Sequence, residues 1–454
     1  MSAYGALYRG LLMPAWENSV RRRPTLRYLR ELEETQWSTP ATLQSLQSAR
    51  LQRLLAHACE HVPYYANLFD EIGVRPRDIR SPADLCRLPL LTREAARLAG
   101  DRRRSTAPPF PTIQKRTGGS TGEPLTFGYE VDSECWRQAI RLRAYAWAGS
   151  RPGERTLHFW GRHAAQSQGL RSLKVAIDRG LRREHFVDCG VRSDDVLRSV
   201  VRWIARQRPA AIVSYCHAAV DLARFITTHE MRSWGSIPVV CCAEELLASD
   251  REILVAAFGP AVFETYGCRE FMLIASECEA HEGLHLSAEN LIVEILVRQG
   301  HETRAALPGE TGEVVVTDLH NLGMPFIRYA TSDLAVAGSD APCSCGRAAP
   351  RIEAVRGRVT ETLRHVDGSR VEGMLFSILF TQLADAVRQF QVVQSTDRSI
   401  TLTVVPDRTF TEGERETIRA RCRQYLGDVA VRIEEVQGIP DRANGKRQLV
   451  RVES

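Results

Sequence analysis

Three short runs in the middle of the chain are apolar without alternation: Ala211-Ile212-Val213-Ser214-Tyr215, Ile237-Pro238-Val239-Val240-Cys241 and Val262-Phe263-Glu264-Thr265-Tyr266. A strand with one wet face shows a period of two, whereas a strand covered on both faces reads as a continuous apolar run ending in a turn. Helical patterns such as Ser199-Val200-Val201-Arg202-Trp203-Ile204-Ala205 lie between them. This stretch therefore reads as α/β, and residues 111–357 are expected to share it, with Gly312 to Leu319 as a further strand.

The flanks read differently. Residues 1–110 are mainly helical: Leu51, Leu54, Leu55 and Cys59 fall on one helix face, and His61-Val62-Pro63-Tyr64-Tyr65 interrupts it. Leu88-Pro89-Leu90-Leu91 reads as an extended connector, because a residue before proline is pushed out of the helical region. Residues 358–454 read as a small α+β domain. There Ile400, Leu402 and Val404 alternate, Thr411 with Glu414 suggests a capping box closed by Gly427, and Val429 to Ile433 returns as a strand. The expected division is 1–357 and 358–454, in keeping with two or three domains for 454 residues at ~150 residues each.

Composition narrows the partners. Lys plus Arg number 60 against 55 Asp plus Glu, so the net charge of +5 makes no case for nucleic acid, and the run Asp101 to Arg104 reads as a solvated loop. No apolar run reaches 18 residues, so no membrane span is expected. The first residues, Met1-Ser2-Ala3-Tyr4-Gly5, lack a basic segment leading into an apolar one; with 12 cysteines this predicts a cytoplasmic protein with thiols reduced or on metal. Only three basic residues are lysines, namely Lys115, Lys174 and Lys446, so each lysine is a rare choice.

Four motifs carry chemistry. Thr117-Gly118-Gly119-Ser120-Thr121-Gly122-Glu123-Pro124 offers backbone N–H groups and hydroxyls to an anion, yet lacks the Gly-Lys-Ser/Thr of a Walker A loop; a polar turn is the alternative. Glu264 to Glu270 is a strand running into a glycine turn between carboxylates, and Glu270 suits Mg²⁺ against phosphates. Asp333, after the apolar run at 324–330, can take both hydroxyls of a ribose. Asn444-Gly445-Lys446 places a lysine on a glycine turn near the end of the chain.

In this order and at these intervals the motifs resemble those of the adenylate-forming, or acyl-coenzyme A synthetase, superfamily. Tyr266-Gly267-x-x-Glu270 resembles its Tyr-Gly-x-Thr-Glu element, with Arg269 in place of Thr. Arg328-Tyr329-x-Thr331-x-Asp333 resembles its Tyr-x-Thr-Gly-Asp element, with Ser332 in place of Gly. Gly357-Arg358 resembles the start of its hinge, where Thr360 stands in place of the usual charged residue. Within the superfamily, residues about 50–454 are similar to phenylacetate–coenzyme A ligases and CapK-like proteins. His61-Val62-Pro63-Tyr64-Tyr65, Ala243-Glu244-Glu245-Leu246, Gly283-Leu284-His285 and Met324 to Tyr329 carry that narrower likeness.

The resemblance implies a large N-terminal adenylation domain with α/β sheets and a small mobile α+β C-terminal domain. It implies an AMP-forming ligase: a carboxylate attacks the α-phosphate of ATP, pyrophosphate leaves, and a nucleophile takes the acyl group. Lys446 would stand between carboxylate and α-phosphate, Thr117, Gly118, Gly119, Ser120, Thr121 and Gly122 would cover the β- and γ-phosphates, Glu270 would hold Mg²⁺ and Asp333 the ribose. Glu244, Tyr266, Gly267 and Arg358 would complete the nucleotide site. The acyl pocket would lie near Trp160, Tyr215, Ala243 and Cys268, and the two aromatic rings suit a flat aryl acid. His158 and His163 flank Trp160, and surface places are expected for both.

Coenzyme A is the expected acceptor. An amine or a carrier-protein thiol is the alternative, a non-catalytic binding module stands last, and a homodimer stays open. Cys278, His285, Cys343 and Cys345 would form a tetrahedral Cys₃His structural zinc site, with similar residues in relatives of the narrower family. His281 competes for the histidine place, and buried reduced thiols are the alternative.

Overall fold

The computed structural model describes residues 2–107, 112–116, 125–161, 170–190, 192–299, 302–358, 363–368, 370–371, 376, 379, 383, 386–406, 408–440 and 449–453. Helices dominate residues 2–107. Pro40–His61 buries Leu51, Leu54, Leu55 and Ala58, with Cys59 half-buried beside them. Val62 ends that helix and Pro63 opens the next, Pro63–Ile72. A proline at the first helical position loses no hydrogen bond, because its N–H would have had no partner.

Strands β1 (Thr112–Arg116) and β2 (Thr126–Glu130) form an antiparallel pair. After them come β3 (Thr156–Trp160), β4 (Glu184–Asp188), β5 (Ala211–Tyr215), β6 (Val239–Cys242), β7 (Val262–Tyr266), β8 (Ala275–Glu277), β9 (Leu284–Leu286), β10 (Leu291–Gln299), β11 (Glu302–Ala305), β12 (Thr311–Asp318), β13 (Tyr329–Ala337) and β14 (Arg351–Arg358). These twelve make one sheet in the order β11-β10-β12-β13-β14-β9-β8-β7-β6-β5-β3-β4.

From β7 to β4 the pairs are parallel, and from β7 to β11 they are antiparallel. The apolar runs at 211–215 and 262–266 are β5 and β7, buried at every residue, and β6 starts after Pro238, which has no N–H for a ladder. Helices Leu170–Arg182, Asp194–Gln207, Cys216–Thr228 and Ala248–Phe258 connect successive parallel strands. One expectation fails here. His158, on β3, is buried and stacks on Phe186 with ring centroids 4.4 Å apart, and burial pushes its pKa down to about 3, so it is a neutral core residue. His163 lies outside the described residues.

The C-terminal part is α+β. Strands β15 (Leu363–Arg364) and β16 (Arg370–Val371) pair, and β17 (Val387–Gln394), β18 (Ile400–Pro406), β19 (Val431–Glu435) and β20 (Val450–Val452) form a sheet ordered β19-β18-β17-β20. Helix Glu412–Leu426 opens on the Thr411–Glu414 capping box, and Gly427, at φ +80°, ends it. Its Ile418, Cys422 and Leu426 pack on Val392, Leu402 and Val404. Among the described residues no helix is long and apolar enough to cross a membrane.

Candidate active site

Within the parallel half, the chain winds outward from β3 to β4 and then turns the other way through β5, β6 and β7. In such sheets a crevice opens at the carboxyl ends of the strands where the winding reverses. Trp160 and Tyr215, the last residues of β3 and β5, stand at that place with ring centroids 4.6 Å apart. Ala243, just past β6 and at φ +72°, packs against the same cluster. The next residue, Glu244, sets its carboxylate 3.1 Å from both the backbone N and the Nδ1 of His217, which lies in the first turn of helix Cys216–Thr228. Glu245 pairs with Arg356 at 3.1 Å. Beneath them, the Leu246 N–H donates to Glu264, whose carboxyl is pushed up to about 8 by burial and so stays protonated at neutral pH.

The turn after β7 builds a second group. Tyr266 donates its hydroxyl to Asp333 Oδ2 at 2.8 Å, and burial, with the Asp333 charge, holds that phenol protonated. Gly267 has no room for a side chain, since a Cβ there would stand 1.8 Å from the Met272 carbonyl oxygen. The Met272 N–H closes the turn on the Cys268 carbonyl at 2.7 Å. Glu270 ends up buried, with the Tyr329 hydroxyl 3.4 Å and Arg93 3.9 Å from its carboxylate. Arg137 donates to the Glu270 backbone carbonyl and pairs with buried Asp318 at 2.6 Å. Cys268 packs on this side, in the cluster of Tyr266, Phe271 and Tyr329. Burial and the Glu270 and Asp333 carboxylates push its thiol well up, which removes it as a nucleophile.

Asp333 is set by an irregular stretch of β13. Its N–H donates to Thr331 Oγ1 at 3.1 Å, the ladder to β14 shifts register after it, and Arg358 at the end of β14 is its register partner. Ser332 sits between them at φ +64°, a conformation that favours glycine. Ser332→Gly is therefore expected to raise the unfolding free energy by about 0.5–1 kcal/mol, because relief of Cβ strain outweighs the added freedom of the unfolded chain. A denaturant titration checks this, and a midpoint that stays or falls contradicts it.

The Cys–His set forms a third group. Ligand atoms of Cys278, His285, Cys343 and Cys345 all lie within 4.8 Å of one another. The Cys278 and Cys343 sulfurs are 3.7 Å apart, and Cys345 Sγ is 3.3 Å from His285 Nε2. His285 Nδ1 lies 2.9 Å from the Ala349 carbonyl, so donation there leaves the Nε2 lone pair for the cluster. His281 is turned away, with Nδ1 2.9 Å from Glu277 and its ring on Phe263.

Thr117, Gly118, Gly119, Ser120, Thr121, Gly122 and Lys446 lie outside the described residues. Sequence reasoning missed Arg93, Arg137 and His217, since none of them belongs to a motif. An arginine in a helix that looks amphipathic gives no sign of being buried.

Residues 363–453 match the CapK C-terminal domain family. A phenylacetate-coenzyme A ligase from Thermus thermophilus is 28% identical over 363 residues, covering 77% of this chain and 78% of that protein. One from Aromatoleum evansii is 28% identical over 327 residues, covering 67% and 68%. In fold, the chain is similar to the solved structure of 2-hydroxyisobutyryl-CoA ligase in complex with R3-HIB-AMP, with a TM-score of 0.73, 20% identity and coverage of 93% and 91%. It is also similar to the amide bond synthetase McbA from Marinactinospora thermotolerans, with a TM-score of 0.52, 19% identity and coverage of 75% and 69%. By these matches the chain is similar to phenylacetate-coenzyme A ligases over about two thirds or more of its length, carries a match to the CapK C-terminal domain, and shares the fold of an adenylate-forming CoA ligase.

Proposed function

We propose that the protein is an ATP-dependent ligase that activates a carboxylic acid, by preference an aryl one, as its acyl-adenylate and passes the acyl group to coenzyme A. The observation that carries this is the Tyr266–Asp333 hydrogen bond beside buried Glu270, at the open end of β7. Asp333, oriented by Tyr266 and Thr331, is the ribose ligand, and Glu244, Gly267 and Arg358 lie around the nucleoside. Trp160, Tyr215 and Ala243 receive the acid. Its carboxylate oxygen forms a bond to the α-phosphorus while the bond to the β-phosphate oxygen breaks, and pyrophosphate departs. The thiol of coenzyme A then gives up its proton, forms a bond to the acyl carbon and releases AMP.

Glu270 suits Mg²⁺, a hard cation that takes carboxylate oxygens, and the Tyr329 hydroxyl stands 3.4 Å and Arg93 3.9 Å from its carboxylate. When bound, that ion neutralises phosphate charge during transfer. Cys278, His285, Cys343 and Cys345 suit a structural zinc: four N/S donors close together, with the histidine oriented by a carbonyl.

The test is ATP–pyrophosphate exchange against a panel of aryl, hydroxyaryl, amino-aryl and short aliphatic acids. The expected result is exchange that depends on one acid class, strongest for aryl acids, followed by consumption of free coenzyme A. Exchange without coenzyme A consumption moves the acceptor to an amine or a carrier protein. Absence of exchange with every acid, in protein that also fails to bind ATP, overturns the reading.

A further inference from the structure

The charged run Asp101 to Arg104 reads as solvated, and three of its members reach solvent: Asp101 and Arg102 are exposed and Arg104 is half-buried. Arg103 is fully buried. Its guanidinium lies over the Phe326 ring, 4.7 Å from the centroid, and its Nε donates to the Ala96 carbonyl at 3.2 Å. Nη1 and Nη2 meet no hydrogen-bond partner among the described residues, and no carboxylate among them pairs with the charge. An aromatic face offsets only part of what a cation loses on leaving water. An apolar side chain of the same length would be the more stable occupant of this place.

Both contacts of Arg103 lead to Glu270. Ala96 and Arg93 lie one turn apart on the helix Arg93–Ala99, and Arg93 stands 3.9 Å from the Glu270 carboxylate. Phe326 meets Tyr329 edge to face, with centroids 4.8 Å apart, and the Tyr329 hydroxyl stands 3.4 Å from the same carboxylate.

The start of that helix is fastened by backbone alone. The Leu91 N–H donates to the Arg328 carbonyl at 2.9 Å, and the Leu91 carbonyl accepts from the Ala330 N–H at 3.0 Å. Arg103 fastens the middle of the helix to the aromatic cluster around Phe326. One buried side chain thus joins the element that carries Arg93 to the ring that packs on Tyr329.

We propose that Arg103 is a positioning residue for Glu270: it sets Arg93 and Tyr329 beside the Glu270 carboxylate, and the chain retains an unmatched buried charge for that purpose although it lowers stability. This rests on the adenylation reading above, in which Glu270 acts at the reacting phosphates. A methionine fills the same space without the donor to Ala96 or the charge over Phe326, whereas a lysine keeps a donor and a charge.

Thermal melts and acid-dependent ATP–pyrophosphate exchange of Arg103→Met, Arg103→Lys, Glu270→Gln and the double variant Arg103→Met/Glu270→Gln test this. Arg103→Met is expected to melt at or above the wild-type temperature and to lower kcat for exchange about tenfold with KM for the acid unchanged, as for a slightly misplaced group at a reacting centre. Arg103→Lys is expected to recover most of that rate. On the Glu270→Gln background, Arg103→Met is expected to cost no further rate, because Arg103 acts through Glu270. Exchange at the wild-type rate in Arg103→Met overturns the proposal, as does the same loss on the Glu270→Gln background. A melt well below wild type in Arg103→Met marks a merely structural role and overturns it too. Wild-type protein that exchanges with no acid and binds no ATP strikes the adenylation reading itself, and the proposal with it.

Discussion

Lys446→Ala is expected to lower acid-dependent ATP–pyrophosphate exchange by about 100-fold or more, the scale of removing one preorganised charge from a transition state. The reason is its proposed place between two anions, the attacking carboxylate and the α-phosphate, whose repulsion must be overcome before the new bond forms. Lys446 lies four positions before Val450 of strand β20 in the sequence. Strand β20 pairs in parallel with β17, from Val392↔Val450 to Gln394↔Val452. Transfer of the acyl group from a supplied acyl-adenylate to coenzyme A leaves phosphorus untouched and is expected to persist in the variant. Exchange at wild-type rate would assign the charge to another residue. Loss of both half-reactions would mark a folding defect.

Protein purified without chelator is expected to carry one zinc per chain, and Cys278→Ser or Cys343→Ser to lose it together with ~5 kcal/mol of stability. A structural ion contributes its binding free energy to the folded state, because the unfolded chain does not bring these side chains together. The chain positions are 278, 285, 343 and 345, so only the folded sheet assembles the set. Elemental analysis and thermal melts of both variants measure the effect. Metal-free wild-type protein with an unchanged melt would leave three reduced thiols beside a histidine and no ion.

The fold was legible where chemistry is repeated along the chain. β5 and β7 read directly because strands covered on both faces cannot hide their composition. The capping box at Thr411 read directly because caps are local. The Cys–His set was legible because Cys343 and Cys345 fall on one turn, and the structure brings His285 to them while it gives the competing His281 to Glu277. Burial of polar residues was not legible. Arg137 and Arg143 lie in a helix whose pattern alone exposes them, yet Asp318 and Glu289, far along the chain, bury both. His158 looked like a surface residue because only the later helices and β4 cover it. The short β8 and β9, three residues each, fall below any periodicity a sequence can display.

Those two strands have a mechanical meaning. They are the seam at which the parallel half of the sheet meets the antiparallel half, and each offers only three residues of ladder. Torsion of one half against the other concentrates where the fewest hydrogen bonds resist it. Cys278 follows β8, His285 lies within β9, and Cys343 and Cys345 reach in from the connection between β13 and β14. The four side chains therefore meet beside the shortest strands of the sheet, at the seam between the half that ends in Tyr266 and the half that carries its partner Asp333.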